Sequence, residues 1–261
     1  MATTRRSRDE TRTLMLDAGV EVLLRDGISL GASTVRYADA FKLLQEEHGI
    51  KVTRGSVHQR IWASQEAWQF DVIAESIHRD EAGRRQALNE AVAARVLELP
   101  ADTAVERLNA LAESCRVVSL AFLDLTTEQP SHRLFPVILA AWKASANNLP
   151  EFHRLGQVLR EVQQDSRASY ERNLVQLLEH LRIGVAPERG LSFESAVRAH
   201  AINSTALAYS HTLRSLVDPA LTEQFQVRCP DGELRAWNHL GLGIWLMARG
   251  RFIPKDESPP S

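Results

Sequence analysis

Cysteine is nearly absent from this sequence, which holds only Cys115 and Cys229 among 261 residues. The two lie far apart and form no C-x-x-C pair, which argues against a disulfide framework and against a cysteine-based zinc site. The nine histidines are scattered, and no His-x-x-x-His pair places two imidazoles on one helix face. We therefore predict reduced thiols, no metal and no cofactor.

Long hydrophobic runs are also missing. No apolar stretch approaches the roughly 20 residues that a membrane-spanning helix needs. The basic start, MATTRRSRDETRT, is not followed by the apolar segment of a secretory signal. These absences predict a soluble, cytoplasmic protein with no membrane partner.

The sequence has no large excess of positive or negative charge. The formal net charge is −2 and the pI is about 6.5, so any nucleic-acid contact has to come from a local basic surface.

The sequence holds no G-x-S-x-G, P-loop, H-E-x-x-H or glycine-rich dinucleotide turn. We predict that the protein is not an enzyme.

Helical spacing of apolar residues is what the sequence has in abundance, and it predicts an all-α protein. In the first 75 residues we predict helices over 7–25 and 35–48, a two-turn helix over 53–61 capped by Thr53, and a longer helix capped by Ser64. The predicted inward residues are Leu14, Met15, Ala18, Val22, Leu23, Ala38, Phe41, Leu44, Val57, Ile61, Trp68 and Val72. Further helices are predicted over 84–98, 101–126, 131–147, 151–182, 192–217 and 232–249, followed by a disordered tail over 254–261.

The short third helix carries the strongest functional signal. A small amphipathic helix after two others, with polar side chains outward, is typical of a helix-turn-helix unit that reads the DNA major groove. Arginine pairs with guanine, glutamine with adenine, and hydroxyl groups bind phosphates. The N-terminal arginines, including Arg12, are candidates for an arm or a phosphate clamp. The predicted DNA-binding residues are Arg5, Arg6, Arg8, Thr53, Arg54, Gly55, Ser56, His58, Gln59, Arg60 and Gln65.

The same segment resembles a known family. The stretch 53–61, TRGSVHQRI, followed by 64–68, SQEAW, is similar to the recognition-helix signature of the tetracycline-repressor (TetR) family of bacterial regulators. The spacing of Arg12, Ala18, Gly19 and Leu23 resembles that family's first helix. His58 stands where the family usually has tyrosine and Gln65 where it has lysine. The resemblance covers about the first 75 residues.

The resemblance implies a DNA-binding domain over 1–75 and a larger helical domain over 76–253 that binds a small-molecule effector and forms a homodimer. Residues that combine apolar and polar character suggest a pocket lined by Cys115, Phe122, Trp142, Tyr170, Asn173 and Asn203. Small and apolar residues on the last two long helices suggest a four-helix dimer interface with Ala199, Ala206, Trp237, Leu240, Ile244 and Trp245. The alternative is that both helices belong to the core of a single chain.

The sequence thus predicts a repressor whose two recognition helices, about 34–36 Å apart, bind a palindromic double-stranded operator. An effector would act by binding the DNA-competent and DNA-incompetent states unequally. A rival interpretation is an all-helical interaction module whose N-terminal helices pack against a protein partner without specific DNA binding. Salt separates the two, because phosphate contacts weaken steeply as the salt concentration rises.

Overall fold

The computed structural model describes residues 6–26, 35–58, 60–128, 153–186, 189–215 and 217–255. This part of the chain is mostly helical, as the periodicity predicts. The predicted helix over 131–147, with Trp142, lies outside the described residues, as do Arg5 and Gln59. Within the described ranges, no helix has the length and apolar character that crossing a membrane requires.

Cα packing divides the chain into two compact units. The N-terminal unit comprises Met1–Ala82 and Gln129–Val162, and the C-terminal unit comprises Gly83–Glu128 and Gln163–Ser261. The predicted domain border at residue 75 lies within the fourth helix, which is continuous across it.

The N-terminal unit begins with helices α1 (Arg8–Asp26) and α2 (Tyr37–Glu46), the single turn α3 (Arg54–Val57) and the start of α4 (Gln65–Arg95). Their apolar faces meet in one core, centred on Met15, Leu23, Val57 and Trp68, all of them at most 1% exposed. Gly19 lies where α1 approaches α4, because a Cβ there would overlap Val72 and lie 2.8 Å from Cζ2 of Trp68. The small residue therefore allows the two helices to pack closely.

Three helix predictions in this unit need correction. α2 buries Tyr37, Ala40, Leu43 and Leu44, whereas Ala38 is exposed and Phe41 only half-buried. α3 has one turn instead of two, because the backbone is already extended at His58. α4 is one unbroken helix from Gln65 to Arg95. Most of the separate helix predicted over 84–98 is therefore the second half of α4.

The C-terminal unit contains the end of α4, helix α5 (Ala104–Glu128), most of α6 (His153–His180), α7 (Phe193–Ser215) and α8 (His239–Arg249). Their core includes Leu111, Leu178, Trp237 and Leu240, each at most 1% exposed. α8 packs against both α5 and α7. Its two glycines allow this, since a Cβ on Gly241 would overlap Ser119 and one on Gly243 would lie 2.7 Å from Leu207.

In the described ranges, four short strands interrupt the helical pattern, and two predictions are wrong there. Strands β2 (Phe225–Arg228) and β3 (Leu234–Trp237) form an antiparallel hairpin, so the helix predicted over 232–249 begins only at His239. Strands β1 (Ile183–Val185) and β4 (Phe252–Pro254) also pair antiparallel. The tail predicted over 254–261 is wrong at its first two residues, because Pro254 lies in β4 and the Lys255 amide donates to the Arg182 carbonyl at 2.9 Å. The rest of that segment, 256–261, lies outside the described residues.

Candidate nucleic-acid interface

In the turn α3, polar side chains face solvent and one apolar residue, Val57, is buried. Thr53 is its N-cap, as predicted, and Ser56 Oγ accepts from the Thr53 amide at 3.3 Å and donates to the Thr53 carbonyl at 2.6 Å. Val57 is fully buried, while Thr53, Arg54 and Gly55 are exposed and Ser56 is half-buried. The side chains that project from this turn are therefore free to contact a partner.

The segment after α3 is fastened to the core by a polar network that the sequence did not predict. The Trp62 indole is 4% exposed, and its Nε1–H donates to Asp71 Oδ2 at 2.9 Å. The Arg12 guanidinium donates to the same oxygen at 3.0 Å and lies 5.8 Å from the centre of the indole ring. Arg12 therefore joins α1 to α4 through Asp71, while its side chain remains 45% exposed.

A second set of hydrogen bonds joins the start of α2 to the start of α4. The Tyr37 hydroxyl donates to the Ser64 carbonyl at 3.1 Å, and the Tyr37 amide donates to Gln65 Oε1 at 3.2 Å. Ser64 Oγ accepts from the Ala67 amide at 3.1 Å, which confirms Ser64 as a cap of α4. Burial, with a smaller effect from Glu66, raises the pKa of Tyr37 to about 12, while nearby Arg54 opposes the shift. Gln65 thus helps to fix the fold next to Arg54.

Positive charge is concentrated around α3. Residues 48–65 contain Lys51, Arg54 and Arg60 but no aspartate or glutamate. Arg6 adds a further cation, because its Nη1 donates to the Lys51 carbonyl at 3.3 Å. Among the described residues no acidic side chain forms an ion pair with any of these four. The surface around α3, with Arg6, Lys51, Arg54 and Arg60, is therefore locally basic although the net charge of the chain is −2.

Three acidic residues of the same unit pair with other arginines. Asp17 and Glu75 both pair with Arg79, at 2.5 and 2.8 Å. Glu47 pairs with Arg25 at 3.3 Å. These pairs keep carboxylates occupied away from α3.

The remaining predicted DNA-binding residues differ in exposure. Arg8, at the first position of α1, and Arg60 are exposed. His58 is half-buried, and its Nδ1 is buried without a partner in the part of the chain that the structure describes. Sequence reasoning missed two exposed cations, Arg36 and Lys51, because neither lies on a predicted recognition face.

Three of the predicted pocket residues, Cys115, Phe122 and Tyr170, belong to one core of the C-terminal unit. Cys115 is buried, and Tyr170 packs against the same core. Phe122 is 8% exposed and lies under Arg84, whose Cζ is 5.5 Å from its ring centre. Asn173 donates from its amide to Asn89 Oδ1 at 2.6 Å. Asn203 faces outward from α7, so it is not part of an internal lining.

The predicted dimer residues fall into two sets. On α7, Ala206 is exposed, Ala199 is half-buried and their neighbour Ile202 is 44% exposed. The other four predicted residues are 1–6% exposed and lie in the core of a single chain, which is the alternative that the sequence leaves open. They are Trp237, Leu240, Ile244 and Trp245. Of the six predicted interface residues, the two on α7 are therefore the ones that reach the surface.

Comparison of the chain with protein-family models, with curated proteins and with solved structures gives no match.

Proposed function

We propose that this protein is a sequence-specific DNA-binding transcriptional regulator of the TetR type, a cytoplasmic homodimer that represses transcription at a palindromic operator. The observation that carries the proposal is the exposed turn α3, with Arg54 and Gly55 outward, next to cations that form no ion pair among the described residues. The resemblance of 53–61 to recognition-helix sequences supports the same assignment.

The chemistry of the surface suits DNA. An arginine such as Arg54 recognises guanine through two parallel hydrogen bonds in the major groove. Arg6 and Lys51 lie together beside α3 and would neutralise phosphates, which supplies sequence-independent affinity. Thr53 and Ser56 add hydroxyl groups that bind phosphate oxygens.

Gly55 gives a further reason to expect a close partner. A Cβ at this position would meet no atom of the chain within 4 Å. Internal packing therefore does not require glycine here, although glycine weakens a helical turn relative to alanine by about 1 kcal/mol. Close approach of a DNA backbone would exclude a side chain and account for the residue.

Regulation would come from the C-terminal unit. An effector that binds the DNA-incompetent state more tightly than the competent one lowers operator affinity by that difference in binding free energy. The proposal is of a binding protein without catalytic activity. Among the described residues, no three histidine, cysteine or acidic side chains are grouped to hold a metal ion.

The deciding experiment is selection of bound fragments from random double-stranded DNA with the full-length protein at moderate salt. The proposal requires enrichment of one inverted-repeat motif, whose affinity falls steeply as salt is raised. Arg54→Ala should weaken binding to that motif by about 1–3 kcal/mol, and Gln59→Ala is expected to act similarly. The control is Arg172→Ala, which removes an exposed arginine from α6 in the C-terminal unit. Folded protein that enriches no motif would overturn the proposal and favour the protein-interaction module.

A further inference from the structure

The residue after the end of α6 has a backbone conformation that arginine adopts unfavourably. Arg182 has a φ of 50°, and among the described residues it is the one non-glycine residue with a positive φ. Helices commonly end on glycine or asparagine in this left-handed region, because a larger side chain crowds the following carbonyl. An arginine at this position therefore costs conformational free energy that glycine or asparagine would avoid.

A second unfavourable feature lies across the strands from Arg182. The Lys255 amide donates to the Arg182 carbonyl at 2.9 Å, so the two residues are cross-strand neighbours that extend the β1–β4 ladder by one pair. Both are exposed. Like charges directly opposite each other in an antiparallel pair repel. The C-terminal end of α6 favours one cation nearby, but it does not account for a second one opposite.

The side chain of Lys255 crosses the neighbouring strand. A Cβ on Gly184 would be 3.3 Å from Lys255 Cγ and 3.4 Å from its Cε, so the lysine stem runs over the glycine. Ile253 is directly opposite Gly184 and is 38% exposed. Lys255 and Ile253 therefore share the outer face of β4, because alternate residues of a strand point to the same side.

These cations have no acidic partner in the part of the chain that the structure describes. Neither Arg182 nor Lys255 forms an ion pair with a described residue. The segments that contain them, 180–186 and 249–255, hold no aspartate or glutamate. The nearest acidic residues along the sequence lie outside the described residues; they are Glu188, Asp256 and Glu257. A strained arginine beside a like charge indicates a function other than folding.

We propose that the face formed by Arg182, Lys255 and Ile253 binds an acidic segment of a partner protein. Carboxylates of that segment would accept from both cations and offset their repulsion, and an apolar side chain would cover Ile253. A nucleic-acid backbone would pair with the cations but leave the isoleucine exposed, so a peptide with acidic and apolar residues fits better. The inference does not depend on DNA binding by the N-terminal unit.

A labelled hexapeptide of alternating glutamate and leucine is the probe, and the same peptide with glutamine in place of glutamate is its matched control. Fluorescence anisotropy with the full-length protein should show saturable binding of the acidic peptide that weakens as salt is raised. The glutamine peptide should bind about fivefold more weakly or worse. Equal binding of both peptides, or no binding of the acidic one, overturns the inference.

Substitution locates the site and separates binding from folding. Arg182→Asn and Lys255→Gln should each weaken binding of the acidic peptide about three- to fivefold. Arg172→Gln, which removes another exposed arginine from α6, should leave it unchanged. Binding that is as strong in both site variants as in this control contradicts the assignment.

The stability of Arg182→Asn tests the argument from backbone strain. Asparagine adopts the left-handed conformation more readily, so the variant should melt at the same temperature as the wild-type protein or at a higher one. Weaker peptide binding by a protein of equal or greater stability is the result expected of a binding residue. A lower melting temperature would show that Arg182 stabilises the fold, and it would contradict the inference.

Two further outcomes would assign this face to a different occupant. If the acidic peptide binds only after residues 256–261 are removed, the chain's own Asp256 and Glu257 compete for the face, and the partner is overturned. If Arg182→Asn weakens binding of a DNA duplex without an operator as much as it weakens peptide binding, the face contacts nucleic acid instead.

Discussion

The Trp62 indole and the Asp71 carboxylate are joined by a hydrogen bond of 2.9 Å that fastens the segment after α3 to the fourth helix. Asp71 is 7% exposed and also binds Arg12, so a single buried oxygen joins α1, the loop and α4. Buried polar networks of this kind fix one arrangement of the backbone. In this molecule they fix the orientation of the turn proposed to read DNA.

Breaking this network should lower both stability and DNA affinity. Trp62→Phe removes the indole donor while keeping most of the apolar surface, and Asp71→Asn removes the charge that Arg12 requires. Each should reduce the free energy of unfolding by about 1–3 kcal/mol, measured by urea denaturation. Operator binding by the folded variant should weaken further, because the segment after α3 is no longer held.

A matched exposed pair provides the control for this prediction. Glu47→Gln disrupts the pair with Arg25, in which both side chains are 52% exposed. Such surface pairs contribute about 0–1 kcal/mol. If Asp71→Asn costs no more than Glu47→Gln, the buried network does not stabilise the fold.

Gly55→Ala should show whether Gly55 is needed for DNA contact or for the stability of the fold. The added methyl group meets nothing in the chain, so the free energy of unfolding should stay the same or rise by up to about 1 kcal/mol. Operator affinity should fall, because the methyl group would obstruct the DNA backbone. Gly83→Ala, likewise open in the middle of α4, is expected to leave affinity unchanged. Unaltered binding by Gly55→Ala would remove the close approach proposed at this turn.

Gly19→Ala should destabilise the N-terminal unit. The new Cβ would overlap Val72 and lie 2.8 Å from Trp68, and neither buried side chain has room to move aside. Overpacking of this kind costs about 1–3 kcal/mol, which outweighs the gain in helix propensity. Thermal unfolding should show a lower midpoint for Gly19→Ala and an unchanged or higher one for Gly83→Ala. Equal midpoints would mean that α1 and α4 are less tightly packed.

The helix caps of the N-terminal unit could be predicted from the sequence because their hydrogen bonds join residues that are close along the chain. Thr53 and Ser64 each interact within three residues of their own positions, so residue type and spacing were sufficient. The length of α3 could not be read in this way. It depends on Trp62 reaching Asp71, nine residues further along, and on Arg12 from another helix. Ile61, the predicted inward residue, is only half-buried as a result.

The strands were missed for a related reason. β1 and β4 have three residues each and are separated along the chain by residues 186–251, which leaves no periodic signal. The β2–β3 hairpin did carry a signal, since Pro230-Asp231-Gly232 forms its turn with φ of 86° at Gly232. Such a turn does not by itself distinguish a hairpin from a break between helices. The ring contacts of the buried His200 with Tyr170 and Phe252 likewise form only through the fold.

Dimer formation should depend on the outer face of α7. Ile202 is 44% exposed and Ala206 lies one helical turn beyond it, so the two share a face. Ile202→Glu would place a charge in an apolar interface and should convert a dimer to a monomer in sedimentation experiments while leaving helicity unchanged. Leu234→Glu, at a 58% exposed position in β3, is the control. A dimer that survives Ile202→Glu uses a different surface.

Stability should fall at mildly acidic pH because of His200. Burial lowers its pKa from 6.5 to about 4 in the folded state, whereas the unfolded chain takes up the proton near the ordinary value. Protonation therefore stabilises the unfolded state first, and the free energy of unfolding declines between about pH 6.5 and 4, then levels off. The contribution of a single such group is on the order of 1 kcal/mol per pH unit in this window.

His200→Gln isolates this effect, because glutamine fits a similar space but does not titrate. Urea denaturation at several pH values should give a shallower decline for the variant than for the wild-type protein, whatever its stability at pH 7. His180→Gln, at an exposed position at the end of α6, should keep the wild-type slope. Carboxylates titrate equally in all three proteins, so only the difference in slope reports on the imidazole. Parallel curves would show that His200 is protonated in the folded protein as readily as in the unfolded chain, which its buried position among Tyr170, Phe252 and Arg251 should prevent.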